Sequence, residues 1–166
     1  LPLSLAVLIG LLAAPRAAPD QRPLRAALLA SMLLFGIGGV IGFLIAGSNV
    51  TIPAHYHGSI VGVTLAFMGL TYYLLPRLGF GEPDRKWAHV QPWLYGGGQL
   101  LHVLGLVWSG GYGVQRKVAG AAQGLDTVER IAAMGLMGLG GLIAIVGGVI
   151  FLVVVGRALL RRPAPA

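Results

Sequence analysis

Four long apolar stretches dominate this sequence of 166 residues. They run from about 24 to 46, 54 to 75, 90 to 108 and 131 to 156. Each is close to the ~20 helical residues that cross a bilayer core. Backbone groups in lipid must be satisfied internally, and the stretches lack the alternating polar residues of barrel strands. The sequence therefore predicts an all-α membrane protein, a bundle of four full transmembrane helices in a single transmembrane domain over residues 1–166.

A shorter apolar run comes before these stretches. It extends from Leu3 to Ala14, between two prolines, and is too short to span a bilayer. No basic residues precede it, as they would in a signal peptide. We therefore expect a short N-terminal helical segment at 3–14, the end of a helix that begins upstream, in a chain that is the C-terminal part of a longer protein.

The basic residues predict an orientation in the membrane. Only 10% of the residues are charged, against roughly 25% in soluble domains, and the net charge is +7. One side of the predicted spans holds nine basic residues: Arg16, Arg22, Arg25, Arg77, Arg85, Lys86, Arg157, Arg161 and Arg162. The other side holds only Arg116, Lys117 and Arg130. The positive-inside rule then places the first group and the C-terminus in the cytoplasm, and this distribution argues against nucleic-acid binding.

Glycine is abundant, at 27 residues, and much of it lies inside the predicted spans. Small residues three or four positions apart let helix backbones approach closely in lipid. The glycines with such spacing are Gly36, Gly39, Gly42, Gly58, Gly62, Gly69, Gly135, Gly138, Gly141, Gly147 and Gly148. The sequence has no cysteine, which excludes disulfides, thiolate metal sites and c-type haem attachment.

The histidines are the candidate site residues. His89 lies near Trp93 at the predicted cytoplasmic edge, as expected in an interfacial aromatic belt. His102 lies inside the third span, where an ionisable residue serves a site or makes a hydrogen bond between helices. His55 and His57 begin the second span near its outer end, and residues two apart on a helix point about 200° apart. The pair therefore cannot chelate one ion but can ligate two groups on opposite helix faces, and neutral imidazole is an axial ligand of haem iron.

The segment from Leu34 to Pro76, with its Ala-His-Tyr-His motif at 54–57, resembles subunit I of the haem–copper oxidases across the ninth and tenth helices. The resemblance implies that His55 is the proximal ligand of the active-site haem and that His57 is an axial ligand of the low-spin haem. His102-Val-Leu-Gly-Leu106 is similar to a motif of the eleventh helix. Arg116-Lys117 is similar to the basic pair that contacts the haem propionates in the outer loop.

This resemblance implies the C-terminal portion of a terminal oxidase subunit I, from the end of the eighth helix to the twelfth. It implies two haems of b or a type, electrons from cytochrome c or quinol, and reduction of oxygen to water coupled to proton movement. The implied location is the inner membrane of a bacterial or archaeal cell. The copper ligands and one low-spin haem ligand are not in this sequence, so other segments of subunit I or other oxidase subunits would supply them.

Two features refine this implied function. Gly47 and Ser48 occupy the positions where many family members carry a His-Asp pair that binds magnesium, so no magnesium site is expected. The stretch TYYLLPRL, at 71–78, is also similar to C-type oxidases and nitric oxide reductases. A nitric oxide reductase-type relative is therefore an alternative.

Two further hypotheses follow from the residues alone. A small self-contained b-type cytochrome, as a monomer or a homodimer, would hold haem between His57 or His55 and His102, for electron transfer or sensing. A structural membrane subunit would hold no cofactor. Optical spectra distinguish them, because a haem with two histidine ligands does not bind carbon monoxide whereas a five-coordinate haem does.

Overall fold

The computed structural model describes residues 2–118 and 120–161, and its regular elements are helical. The helices are α1 (Pro2–Ala13), α2 (Arg22–Phe43), α3 (Thr51–Arg77), α4 (Arg85–Gly111) and α5 (Val128–Leu160), with a short 3₁₀ helix at Gly120–Gln123. The all-α prediction is confirmed, and each predicted apolar segment overlaps a helix, although the first span was placed at 24–46 and α2 ends at Phe43. Arg162, one of the basic residues used to predict the orientation, lies outside the described residues.

Three of these helices, α2, α3 and α5, are long and apolar enough to cross a membrane. Helix α4 is as long as α3, at 27 residues, but it is less apolar along its length. The predicted count of four full spans is therefore not confirmed by length and composition. The polarity of α4 follows from its central position, since it contacts α2, α3 and α5. Because these neighbours cover much of α4, fewer of its side chains have to be apolar for contact with lipid. Gln91 and Ser109 of α4 are fully buried.

Successive helices from α2 to α5 run in alternating directions and pack side by side. Helices α2 and α4 therefore end where α3 and α5 begin, at loops 44–50 and 112–127. We call this the histidine end, because His55 and His57 lie in the first two turns of α3 there. The opposite end, at loops 14–21 and 78–84, is called the basic end.

Glycines allow two close helix contacts in the bundle. A Cβ atom on Gly38 of α2 would lie 2.5 Å from the Ser59 nitrogen of α3. A Cβ atom on Gly98 of α4 would lie 2.5 Å from the Ala144 nitrogen of α5. Since real Cβ atoms do not approach backbone so closely, only glycine permits these helix separations. The sequence prediction of close packing is confirmed, although Gly38 and Gly98 are not among the glycines singled out for it.

The predicted glycines divide into two groups in the structure. Those that face neighbouring backbone or side chains at close range are Gly42, Gly58, Gly62, Gly69, Gly141 and Gly147. Those that face open space are Gly36, Gly39, Gly135 and Gly138, and Gly148 has only ordinary van der Waals contact with Tyr95. Spacing in the sequence therefore identified glycine-rich helices but not the face of each helix that packs.

An apolar cluster fills the bundle at the histidine end and connects four of its elements. Its buried members are Ile41, Val50, Ala54, Val103, Leu106 and Val114. They come from the end of α2, the start of α3, the second half of α4 and the loop after α4. Burial of these side chains fixes the start of α3 against α4, and it thereby positions the histidines of α3.

Candidate functional site

The start of α3 is held by hydrogen bonds from two loops. The Oδ1 atom of Asn49 accepts a hydrogen bond from the Thr51 amide, at 2.9 Å, and so satisfies one of the free amides of the first turn. The Val50 amide donates to the Val114 carbonyl, at 3.1 Å, and joins this loop to the one after α4. The first turn of α3 is therefore held in place by the Asn49 side chain and by the hydrogen bond between the loops before α3 and after α4.

His55 faces helix α2. Its Nδ1 lies 2.7 Å from the carbonyl oxygen of Gly38, and its half-buried ring packs on Gly42, where a Cβ atom would approach Nδ1 to 2.9 Å. Because a carbonyl can only accept, Nδ1 carries the proton and Nε2 keeps its lone pair in the neutral ring. This arrangement is typical of metal-ligating histidines, whose second nitrogen donates to a carbonyl or carboxylate.

His57 faces helix α4 on the other side of α3. Its ring centroid lies 4.5 Å from that of His102, with an angle of 56° between the planes. The Nδ1 atom of His102 lies 2.9 Å from the Met137 carbonyl of α5, so this ring also donates through Nδ1 and keeps Nε2 free. His55 and His57 thus point to different neighbours, which agrees with their expected separation of about 200° around the helix.

The distance between the rings of His57 and His102 bears on how they can bind metal. Two imidazoles on opposite faces of one metal ion, at ~2 Å per metal–nitrogen bond, would have centroids roughly 6 Å apart. The observed 4.5 Å is shorter, so this arrangement does not favour a haem held between these two side chains. Among the described residues, no group of three or more His, Asp, Glu or Cys side chains could hold a metal ion.

The loops at the histidine end place the two predicted basic residues on one turn. Arg116 donates through Nε to the Ser48 hydroxyl, at 3.2 Å, and a bridge between Asn49 and Gln115 lies beside this contact. Lys117 is exposed and has a positive φ of 61°, which is uncommon for a residue other than glycine. Ser48 thus accepts a hydrogen bond from the loop that follows α4.

Several residues that shape this region were not identified from the sequence. The carbonyls of Gly38 and Met137 hold His55 and His102, and no local pattern marks a backbone acceptor on another helix. Arg130 donates to the carbonyls of Tyr112, at 3.1 Å, and Gly124, at 2.8 Å, and it pairs with Asp126 at 2.8 Å. Asp126 and Arg130 are four residues apart, and that spacing was the available signal for their pairing.

The family model of cytochrome c and quinol oxidase polypeptide I matches residues 1–150. This chain belongs to the cytochrome c and quinol oxidase polypeptide I family. The resemblance inferred from the histidine motif is therefore confirmed at the level of the family, and family membership and the three apolar spans indicate an integral membrane protein.

Relatives and a solved structure agree with this assignment to the oxidase family. The chain is 40% identical over 143 residues to an uncharacterized protein of Rickettsia prowazekii, covering 80% of this chain and 28% of that protein. It is 30% identical over 167 residues to a cytochrome c oxidase subunit 1 of Thermus thermophilus, covering 92% of this chain and 29% of the relative. A cryo-EM structure of a heme-copper terminal oxidase dimer is similar to this chain with a TM-score of 0.75 and 20% sequence identity. The match covers 86% of this chain and 28% of the oxidase chain, and it supports the fold.

This chain of the oxidase family therefore spans less than a third of the length of these proteins. The family binds haem and copper in general.

Proposed function

We propose that this chain supplies haem-ligating helices to the subunit I part of a respiratory haem–copper oxidase. The observation that carries the proposal is the position of two histidines on opposite sides of α3. His55 contacts α2 and His57 contacts α4, so the two imidazoles serve two separate groups rather than one. Family membership supports haem as the group bound at each.

His55 fits the role of a proximal haem ligand. Its Nδ1–H donates to the Gly38 carbonyl, which fixes the tautomer and the orientation of the ring and leaves Nε2 for the iron. Gly42 leaves space for the ring beside α2. When bound, the haem supplies the iron chemistry of electron transfer and oxygen binding, while the protein sets its ligand, orientation and surroundings.

His57, Arg116 and Lys117 complete the proposed contribution of this chain. His57 is half-buried, and no described residue hydrogen-bonds its ring, so it is available as one axial ligand of a low-spin haem. Arg116 and Lys117 lie on the loop at the histidine end, where cationic side chains would pair with propionate carboxylates. His102 is proposed as a haem contact rather than a ligand, because its ring lies 4.5 Å from that of His57.

The remaining parts of the oxidase would come from elsewhere. Other subunit I segments or subunits would supply the copper ligands and the second low-spin ligand, and cytochrome c or quinol would supply electrons for oxygen reduction coupled to proton movement. We propose that α4 is the fourth span of a single transmembrane domain, since it is long enough and is sheltered by three neighbours. The charge distribution favours a cytoplasmic C-terminus and an outward-facing histidine end. The resemblance to the oxidase family favours the inner membrane of a bacterial or archaeal cell.

The test is a haem count with a carbon monoxide difference spectrum on the purified complex and three variants. His55→Ala should remove the haem that binds carbon monoxide and leave the low-spin haem. His57→Ala should remove the low-spin absorption, and His102→Ala, the control, should keep both haems. If the His102→Ala variant loses the same haem as the His57→Ala variant, the result would instead support a self-contained b-type cytochrome. Unchanged haem content in all three variants would support a structural subunit.

A further inference from the structure

A second polar region lies at the basic end of the bundle, far from the histidines of α3. A cavity of about 410 Å³ opens there between the segment after α1, the first two turns of α2 and the start of α4. Its lining includes three arginines, Arg16, Arg22 and Arg25, and no carboxylate. Such a concentration of positive charge attracts anions.

The backbone at this cavity adds to its positive potential. Helix α2 begins at Arg22, its N-cap residue Gln21 makes no side-chain capping bond, and its first turn has no acidic residue. The Arg22 amide already donates to the Ala18 carbonyl, at 3.1 Å, and Pro23 has no amide hydrogen, so it is the positive end of the helix dipole that adds to the potential of the cavity. A cationic side chain at a helix N-terminus is itself unfavourable, so Arg22 is a costly residue at this position unless an anion lies nearby.

Arg25 is held in place at the same cavity. Its guanidinium donates to the carbonyl oxygens of Leu11, Ala14 and Pro15, which close the C-terminal turn of α1. These contacts fix a positive charge in the wall of the cavity. Arg16 and Arg22 are exposed, and Arg22 makes only a long hydrogen bond of 3.4 Å, to the Ala17 carbonyl, so both are free to approach a ligand.

The start of α4 contributes two side chains of a different kind. The buried Nδ1 atom of His89 has no hydrogen-bond partner among the described residues, and His89 lines the cavity. This nitrogen has almost no accessible surface, so His89 contributes ring surface to the cavity wall rather than a contact to a ligand. Trp93, 45% exposed, also lines the cavity, and tryptophan is enriched where lipid headgroups meet acyl chains.

The geometry points to a binding site for the phosphate group of an anionic phospholipid. Arg16 and Arg22 would contact the phosphate, and Trp93 would lie beside the glycerol region. Leu29, deeper on α2, lines the same cavity and would contact the first part of an acyl chain. This apolar continuation favours a lipid over free inorganic phosphate, which shares the same phosphate chemistry. Basic pockets between helices at a membrane surface bind anionic headgroups in this way.

The test measures lipid binding by native mass spectrometry on the purified protein in its complex. The probes are phosphatidylglycerol, phosphatidylcholine and inorganic phosphate. The pocket variant is Arg16→Gln with Arg22→Gln. The control is Lys86→Gln with Arg157→Gln, which removes the same charge at the basic end from residues outside the cavity lining. Both variants change exposed or partly exposed side chains, and thermal unfolding should be the same in each.

We expect phosphatidylglycerol to bind in preference to phosphatidylcholine, and excess inorganic phosphate not to displace it. The pocket variant should bind phosphatidylglycerol roughly thirtyfold more weakly, since each basic residue near an anionic lipid adds about fivefold, and the control should lose less than about threefold. Equal losses in the two variants, or equal binding of the two lipids, would overturn the proposal. Displacement by inorganic phosphate at similar concentration would assign the site to free phosphate and overturn the lipid assignment.

Discussion

The helix pairs α2–α3 and α4–α5 both approach closely through glycines on both helices, but a glycine packs more tightly on the histidine ring in the first pair. In α4–α5 the glycines that face the backbone of the neighbouring helix are Gly98, Gly105, Gly140 and Gly147. In α2–α3 they are Gly38, Gly58 and Gly62. A Cβ atom on Gly42 would lie 2.9 Å from the His55 ring, whereas one on Gly141 would lie 3.3 Å from the His102 ring. The two pairs therefore differ in the space around the histidine rather than in which helix carries the glycines.

The two pairs also hold their histidines differently. His55 of α3 bonds to the Gly38 carbonyl at 2.7 Å, and His102 of α4 bonds to the Met137 carbonyl at 2.9 Å. His55 lies near the start of its helix, beside the loops of the histidine end, whereas His102 lies further inside the bundle. The same hydrogen-bond geometry therefore occurs in two settings. Near the helix end it leaves Nε2 of His55 available for the proposed haem, and inside the bundle it joins α4 to α5.

The largest effect is expected where a methyl group would meet backbone. Gly38→Ala and Gly98→Ala each put a Cβ atom 2.5 Å from a backbone nitrogen of the neighbouring helix. Backbone cannot move aside as a side chain can, so each substitution should destabilise the protein by about 1–3 kcal/mol. Thermal unfolding in detergent measures the change, and the two helix pairs should respond alike.

Neighbouring glycines provide matched controls for the two substitutions. Nothing lies within 4 Å of a Cβ atom built on Gly39 or Gly97, which belong to the same helices. Gly39→Ala and Gly97→Ala should be neutral or slightly stabilising, because alanine favours a helix by up to about 1 kcal/mol over glycine. Equal losses for Gly38→Ala and Gly39→Ala would show that the contact face of α2 is assigned incorrectly.

A smaller and more specific effect is expected at the glycines that face the histidine rings. A Cβ atom on Gly42 would approach Nδ1 of His55 to 2.9 Å, whereas one on Gly141 would approach Nδ1 of His102 to 3.3 Å. Gly42→Ala should therefore displace the His55 ring, at a cost of about 1–2 kcal/mol, and shift the absorption of the haem that binds carbon monoxide. Gly141→Ala should leave both haem bands unchanged.

Difference spectra of the reduced complex, with and without carbon monoxide, measure this comparison. A shift confined to Gly42→Ala would support His55 as a haem ligand and His102 as a residue that does not ligate haem. If Gly141→Ala alone shifts a haem band, the roles proposed for the two histidines are reversed. Haem content should stay constant in both variants, because neither glycine is itself a proposed ligand.

The same two histidines of α3 show how far the sequence could predict the site. The opposite directions of His55 and His57 follow from helical rotation alone, so they could be predicted once α3 was recognised as a helix. The Gly38 carbonyl could not be predicted, because it lies on another helix and depends on the register of α2 against α3. The same is true of Met137, which is 35 residues from His102.

The positions of the apolar segments could also be predicted from the sequence, but the residues at which the helices begin and end could not be predicted as well. The second span was placed at 54–75, whereas α3 extends over Thr51–Arg77, because Asn49 satisfies an amide before the apolar run begins. The third span was placed at 90–108, whereas α4 begins at Arg85, after the capping residue Asp84. Hydropathy marks the part of a helix that lies in lipid, and capping side chains determine where the helix starts.

The smallest effect is expected at the helix starts, where the two pairs again differ. Both helices of α4–α5 have side-chain caps: Asp84 Oδ1 accepts from the Trp87 amide at 3.1 Å, and Thr127 Oγ1 accepts from the Arg130 amide at 3.4 Å. Asp84→Ala should cost about 1 kcal/mol and Thr127→Ala somewhat less, because its bond is longer. Gln21→Ala, at the uncapped start of α2, is the control and should change stability by less than about 0.3 kcal/mol. Thermal unfolding of the three variants ranks them, and a loss in Gln21→Ala as large as in Asp84→Ala would mean that capping does not distinguish the two helix pairs.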